Sequence, residues 1–287
     1  MRYEGRVVWV TGASSGIGAA LAEAFAAAGA SLILSGRRED ALRDVAERLP
    51  RESLMLPFEA TEIDALPGIV GQAWDWRGQV DVLVNNAGVS QRSLALDTGL
   101  DVYRRILEID FFAPLALSQL VLPRMAARRA GHIVAVSSVA GKIGIPLRTA
   151  YCAAKHALIG YCDALRSEVD AAYNIRVTSV LPGSVRTQIA VNALQADGTA
   201  RGTSDANIDN GMDPAEVARR VLAGMADGVA EILIAEGNEA MAAELRRTNP
   251  AALFALTAKE GVRLAEARAA ATGAYRPEPA RFGEGQG

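Results

Sequence analysis

Tyr151 and Lys155 stand four residues apart within Thr149–Ala172, a segment whose apolar residues recur at helical spacing, so both side chains share one helix face. A free phenol, with a pKa near 10, is a weak acid–base group at neutral pH. A nearby ammonium favours the phenolate, so the pair is expected to lower the pKa of Tyr151. Such a phenol can donate a proton to a carbonyl being reduced, or take one from an alcohol being oxidised. Ser138 follows a strand-like run and would lie at a strand's C-terminal end, where open α/β sheets place ligands.

A second constellation lies upstream. Thr11-Gly12-Ala13-Ser14-Ser15-Gly16-Ile17-Gly18 joins the first strand-like run to the first helical one. Glycines permit a tight turn close to a pyrophosphate, and the helix start offers free N–H groups and a positive dipole end. The second run ends in Ser35-Gly36-Arg37-Arg38, with no acid for a ribose 2′-hydroxyl. Arg37, with Arg38 and the Ser14 hydroxyl, suits a 2′-phosphate, which points to NADP(H) rather than NAD(H).

These groups need a scaffold, and the chain alternates to provide one. Strand-like runs at Arg6–Val10, Ser31–Ser35, Ser53–Phe58, Val80–Val84, His132–Ser137, Ile175–Leu181 and Glu231–Ile234 are short and nearly all apolar, as strands covered on both faces are. Helical segments fall at Ile17–Gly29, Glu39–Leu49, Ile63–Arg77, Leu100–Arg128 and Thr149–Ala172. This order predicts a Rossmann-type doubly wound parallel sheet of about seven strands in three α/β/α layers. Residues 1–237 form one domain, in which the irregular stretch Ser184–Met212 is read as a substrate lid. Asp213-Pro214 restarts a helix, and residues 238–287 form a helical extension with a frayed tail.

Composition narrows the function. Of 287 residues, 50% are hydrophobic and the net charge is −3, which suits a large buried core and opposes a nucleic-acid partner. No run of 18 uninterrupted apolar residues suggests a transmembrane segment. Cys152 and Cys162, ten apart on one helix, would lie about 15 Å apart, too far for a disulfide. Reduced thiols point to the cytoplasm. With only His132 and His156 beside them, no metal site is expected.

Taken together, Thr11–Gly18, Asn85-Asn86-Ala87-Gly88, Ser138, Tyr151-Cys152-Ala153-Ala154-Lys155 and Pro182-Gly183 resemble the short-chain dehydrogenase/reductase family over about residues 6–236. Gly131–Gly144 and Ser184–Gly211 are similar to its member-seven-B branch. The resemblance implies an oxidoreductase passing hydride between nicotinamide and a carbonyl or secondary alcohol. It implies that Ser138 holds the substrate oxygen beside Tyr151, and that Lys155 also bonds the nicotinamide ribose. It assigns cofactor contacts to Gly12, Ser14, Ser15, Gly16, Ile17, Gly18, Asn86, Ala87 and Gly88, to Glu59 and Ala60 near adenine, and to Pro182, Gly183, Val185 and Thr187 near the nicotinamide amide.

Asp110 stands where the family usually has Asn, at a water leading from the lysine to solvent. If the main-chain carbonyl holds that water, Asp serves; if the amide donor is needed, a carboxylate cannot replace it. The residue therefore keeps open an NADPH-binding sensor or scaffold with little turnover. An epimerase would need a larger C-terminal domain. Ile143, Ile145, Pro146 and Leu147 suggest an apolar pocket wall, hence a hydrophobic ketone or aldehyde. The apolar long helices suggest a homodimer or homotetramer.

Overall fold

The computed structural model of the chain describes residues 3–272, so the tail expected to fray beyond Thr272 lies outside the described residues. Seven parallel strands, β1 (Val7–Thr11), β2 (Ser31–Ser35), β3 (Ser53–Met55), β4 (Val82–Asn85), β5 (Gly131–Val136), β6 (Ile175–Pro182) and β7 (Glu231–Ile234), form one sheet in the order β3-β2-β1-β4-β5-β6-β7. Val8 pairs with Leu32 on one side and Val82 on the other. The third strand, at the sheet edge, is regular only over Ser53–Met55 of its apolar run, although Leu56 and Phe58 still donate to the Leu34 and Gly36 carbonyls at 2.9 and 3.2 Å.

Alternation within the strands feeds two cores. Val8 and Val10 face one layer, with Leu21 and Phe25 of α1 (Gly16–Ala27) and Val217 and Val221 of α8 (Pro214–Ala226). Val7 and Trp9 face the other, with Leu117 and Met125 of α5 (Ala113–Arg128) and Leu158 and Leu165 of α6 (Thr149–Tyr173). Burying side chains of this size contributes about 1.5–3 kcal/mol each, which fixes the sheet between its layers. The layers are completed by α2 (Glu39–Arg48) and α3 (Leu66–Arg77).

The long helical run Leu100–Arg128 is not one regular helix. Between α4 (Leu100–Leu107) and α5 the residues Glu108–Phe112 take a π-helical turn, and Asp110 lies in it, fully buried. A widened turn re-aims a side chain without breaking the helix, and such turns concentrate at functional sites. By length and composition this run is the one described helix apolar enough to cross a membrane; Leu117, Val121 and Met125 of it pack beneath the sheet.

Ser184–Met212 contains α7 (Ala206–Asp209) and is tied back by bridges from Leu194 to Gln91 and from Val185 to Met212. Arg92, Arg148 and Arg201 converge on Asp205 at its end. Beyond β7, α9 (Gly237–Thr248) and α10 (Pro250–Thr272) fold back on the domain. Leu253 is buried with Val139 and Ile143, just after Ser138, and Arg268 makes a bidentate pair with Asp97.

Candidate active site

The sheet order reverses between β1 and β4, and the loops at these strand tips are bound together. Thr11 Oγ1 accepts the N–H groups of Asn86 and Ala87 at 3.0 and 3.1 Å, while Asn86 Nδ2 donates to the carbonyls of Thr11 and Gly12. Gly12 takes φ +64°, and a Cβ there would lie 2.8 Å from Ala87 Cα; only glycine meets both conditions. Gly18 serves packing instead: a side chain on it would strike the Gly12 carbonyl.

Helix α1 begins at Gly16 without the usual satisfaction of its first turn. Ser15 makes no side-chain cap, and no acid stands in that turn. Free N–H groups and the dipole end therefore face the cavity, as a phosphate requires. Beside them Arg38 donates to Ser14 Oγ at 3.4 Å, and Arg37 lies 3.6 Å from Glu59. The arginine nearer the turn is thus Arg38, with Arg37 held toward the Glu59–Ala60 side.

At the other end of the same cavity, of about 440 Å³, stand Ser138, Tyr151 and Lys155. Ser138 follows β5, accepting the Ala140 N–H at 3.1 Å and donating to the Pro182 carbonyl at 3.3 Å. Ser137 Oγ donates to the Lys155 carbonyl, which fastens the loop to α6. Lys155 Nζ donates to the Val136 carbonyl at 3.1 Å, lies 3.5 Å from Asp110 Oδ2, and sits 5.6 Å from the centre of the Tyr151 ring. An ammonium carries three protons, so donor capacity remains on the cavity side.

The electrostatics differ from the sequence expectation for Tyr151. Burial pushes its phenol above the usual range and outweighs the attraction of Lys155. Asp110 opposes Lys155 by pushing the phenol up, while the neighbouring Ser138 hydroxyl and the Arg148 charge pull it down. Asp110 is itself pushed up by burial, against Lys155 and the Val89 N–H that its Oδ1 accepts at 2.8 Å. Its Oδ2 has no hydrogen-bond partner among the described residues.

The cavity wall gathers Gly12, Ser14, Ser15, Gly16, Ile17, Arg37, Arg38, Glu59, Ala60, Asn86, Ala87, Gly88, Pro182, Gly183, Val185 and Thr187 with the Ser–Tyr–Lys cluster. Gly18 and Asp110 stand behind it. Of the four apolar residues expected on the near wall only Ile145 is there; Ile143 is buried against Leu253. Arg92, Arg105, Arg148 and Glu239 join the wall. Arg148, three residues before Tyr151, could have been found by helical spacing, whereas nothing local marks the other three. Arg92 is nearly buried; burial and the neighbouring Arg148 lower its pKa. Burial alone would raise the Asp205 carboxyl, yet the Arg92 hydrogen bond and charge hold it below the usual range. His156 is turned away, its Nδ1 bonded to the Cys152 carbonyl.

A doubly wound parallel sheet with a glycine turn at its reversal point and a phenol–ammonium pair beyond β5 is the arrangement of a nucleotide-dependent α/β oxidoreductase. The sequence profile of the short chain dehydrogenase family matches residues 6–198, and the chain belongs to that family. It is 42% identical to mouse (Mus musculus) dehydrogenase/reductase SDR family member 7B over 259 residues, covering 88% of this chain and 80% of that protein. The Drosophila melanogaster family protein 7-like is 37% identical, covering 93% and 84%. Among solved structures, a metagenomic short-chain oxidoreductase in complex with NADP superposes with TM-score 0.68 at 29% identity, covering 82% of this chain and 98% of that one. A Burkholderia phymatum short chain dehydrogenase/reductase in complex with NAD shares the fold, with TM-score 0.74 at 22% identity over 98% and 100%.

Proposed function

We propose that the protein is an NADP(H)-dependent carbonyl reductase or alcohol dehydrogenase acting through Ser138, Tyr151 and Lys155. The observation that carries this is the meeting of that cluster with the uncapped start of α1 in one cavity. The glycine turn would hold a pyrophosphate, Lys155 the nicotinamide ribose, and Val185 and Thr187 the nicotinamide amide. When bound, the nicotinamide supplies or accepts the hydride. Ser138 would hold the substrate oxygen within reach of the phenol. Tyr151 gives that oxygen its proton in reduction and removes it in oxidation, and Lys155 stabilises the phenolate left behind.

The preference for NADP(H) is supported by Arg38 at Ser14, by Arg37 on the same wall, and by the lack of an acid at the end of β2. Ile145, Ile189 and Leu194 offer apolar surface to a ketone or aldehyde, although Arg92, Arg105 and Arg148 make the wall more polar than its sequence suggests. The exposed Leu96, Leu100 and Phe112 around α4 and α5 favour a homo-oligomer. The buried, unbridged Cys152 and Cys162 favour the reducing cytoplasm.

The test is NADPH oxidation across a panel of neutral and acidic ketones and aldehydes, with Tyr151→Phe as control. The expected loss in the variant is about 10²–10⁴-fold in kcat with cofactor binding retained. Equal turnover by the two proteins overturns the assignment. Cofactor binding with no turnover on any carbonyl favours a sensor or scaffold, a reading that rests on the acid at Asp110.

A further inference from the structure

The segment leaving β6 is gripped from several directions. Ser138 Oγ donates to the Pro182 carbonyl, and the Gly183 N–H is taken by the Ile234 carbonyl at 2.8 Å. Met212 donates to the Ser184 carbonyl and accepts the Arg186 N–H. The remaining grip comes from the C-terminal extension. Glu239, in the first turn of α9, accepts the Ser184 N–H at 2.7 Å on Oε2 and the Ser184 hydroxyl at 2.8 Å on Oε1. Gly183 makes room for this, since a Cβ there would collide with the Glu239 carboxylate.

One buried residue in this segment is left with neither backbone group satisfied. Val185 lies on the cavity wall, only 4% exposed, and among the described residues neither its N–H nor its carbonyl has a hydrogen-bond partner. Its neighbours on both sides are bonded to Met212, so the Val185 amide edge is the part left over. A buried amide without partners is costly, and its retention beside a cavity points to a ligand that completes it. One donor and one acceptor side by side match a primary carboxamide, the group that the family resemblance already assigns to Val185 and Thr187.

We propose that Glu239 is a positioning residue for the nicotinamide end of the site: it clamps Ser184 so that the Val185 N–H and carbonyl remain free for the cofactor's carboxamide. This rests on the nicotinamide reading above. The extension is thereby a working part of the cavity, acting through backbone geometry and touching no reacting atom.

The test compares two ligands. The full oxidised dinucleotide, NADP⁺ or NAD⁺ according to which the wild type binds more tightly, is titrated by calorimetry beside its adenine half, adenosine 2′,5′-bisphosphate or AMP. Glu239→Ala, and Glu239→Leu as a variant of closer volume, should weaken dinucleotide binding tenfold or more and leave the half-ligand within twofold. Glu239→Gln should restore binding to within about threefold, because its carbonyl accepts the Ser184 N–H and its amide can donate to the hydroxyl. Unchanged dinucleotide affinity in the Ala and Leu variants, equal losses for both ligands, or a Gln variant as weak as Ala each overturn the proposal. A wild type that binds the half-ligand but gains nothing from the nicotinamide end overturns the cofactor reading itself.

Discussion

Replacing Asp110 with asparagine would remove one charge from the enclosed group formed with Lys155 and Tyr151 while keeping the side chain's shape. Asn Oδ1 can still accept the Val89 N–H, 2.8 Å away in the wild type, so the loop after β4 keeps its anchor. The field at the phenol changes. Lys155 Nζ lies 3.5 Å from Asp110 Oδ2 and 5.6 Å from the ring centre, so the carboxylate is within about 9 Å of the ring. Unit charges at that separation interact by roughly 2 kcal/mol at an effective dielectric of about 20. The ammonium screens part of this, leaving on the order of 1 kcal/mol, up to a factor of about ten. Because Asp110 pushes the phenol up, its loss favours phenolate. Under the proposed chemistry, the acid limb of alcohol oxidation moves to lower pH and rates there rise up to about tenfold, while plateau rates stay within about tenfold of wild type. The alkaline limb of carbonyl reduction moves down too, since that direction needs the protonated phenol. The assay is initial rate against pH in both directions, with thermal melts to detect any loss of folding from the broken buried pair. Limbs that stay put or move upward refute the reasoning. A hundredfold gain at every pH would show that the natural carboxylate suppresses turnover.

Cofactor choice and sheet stability offer two further tests. Arg37→Ala and Arg38→Ala should raise the KM for NADPH far more than that for NADH, with Arg38→Ala the stronger because it lies against Ser14; equal effects on both cofactors would refute the 2′-phosphate assignment. Burial, with Arg176 nearby, pushes the His132 imidazole down to about 4 from its ordinary 6.5. Its folded value lies below its unfolded one, so its stabilising contribution is present above about pH 6.5 and is lost as pH falls through about 4, amounting to about 3 kcal/mol. The unfolding free-energy difference between wild type and His132→Gln should change by about that much over this range in denaturant titrations, and a constant difference would contradict it.

Much of the site was legible in the chain because its parts are local. The glycine turn, the Tyr151–Lys155 spacing and Ser138 each follow from the periodicity of one strand or helix, and the alternation of apolar runs required a parallel sheet with its ligands at the strand tips. Tertiary structure decided what depends on groups distant in sequence. The ammonium alone suggested a lowered phenol pKa, but enclosure by the fold and the re-aimed Asp110 reverse the net direction. Arg92 and Arg105 reach the wall from segments remote from Tyr151, and Arg92 meets Arg148 at Asp205, so local spacing could show Arg148 alone and not that the wall is partly cationic. Glu239 lies in an Ala-rich stretch that read as an appendage, yet the turn after β7 brings it 55 residues back to Ser184. Hydrophobic periodicity records which face of an element is buried, whereas desolvation and long-range hydrogen bonds depend on what is packed against that face, and only the folded chain specifies it.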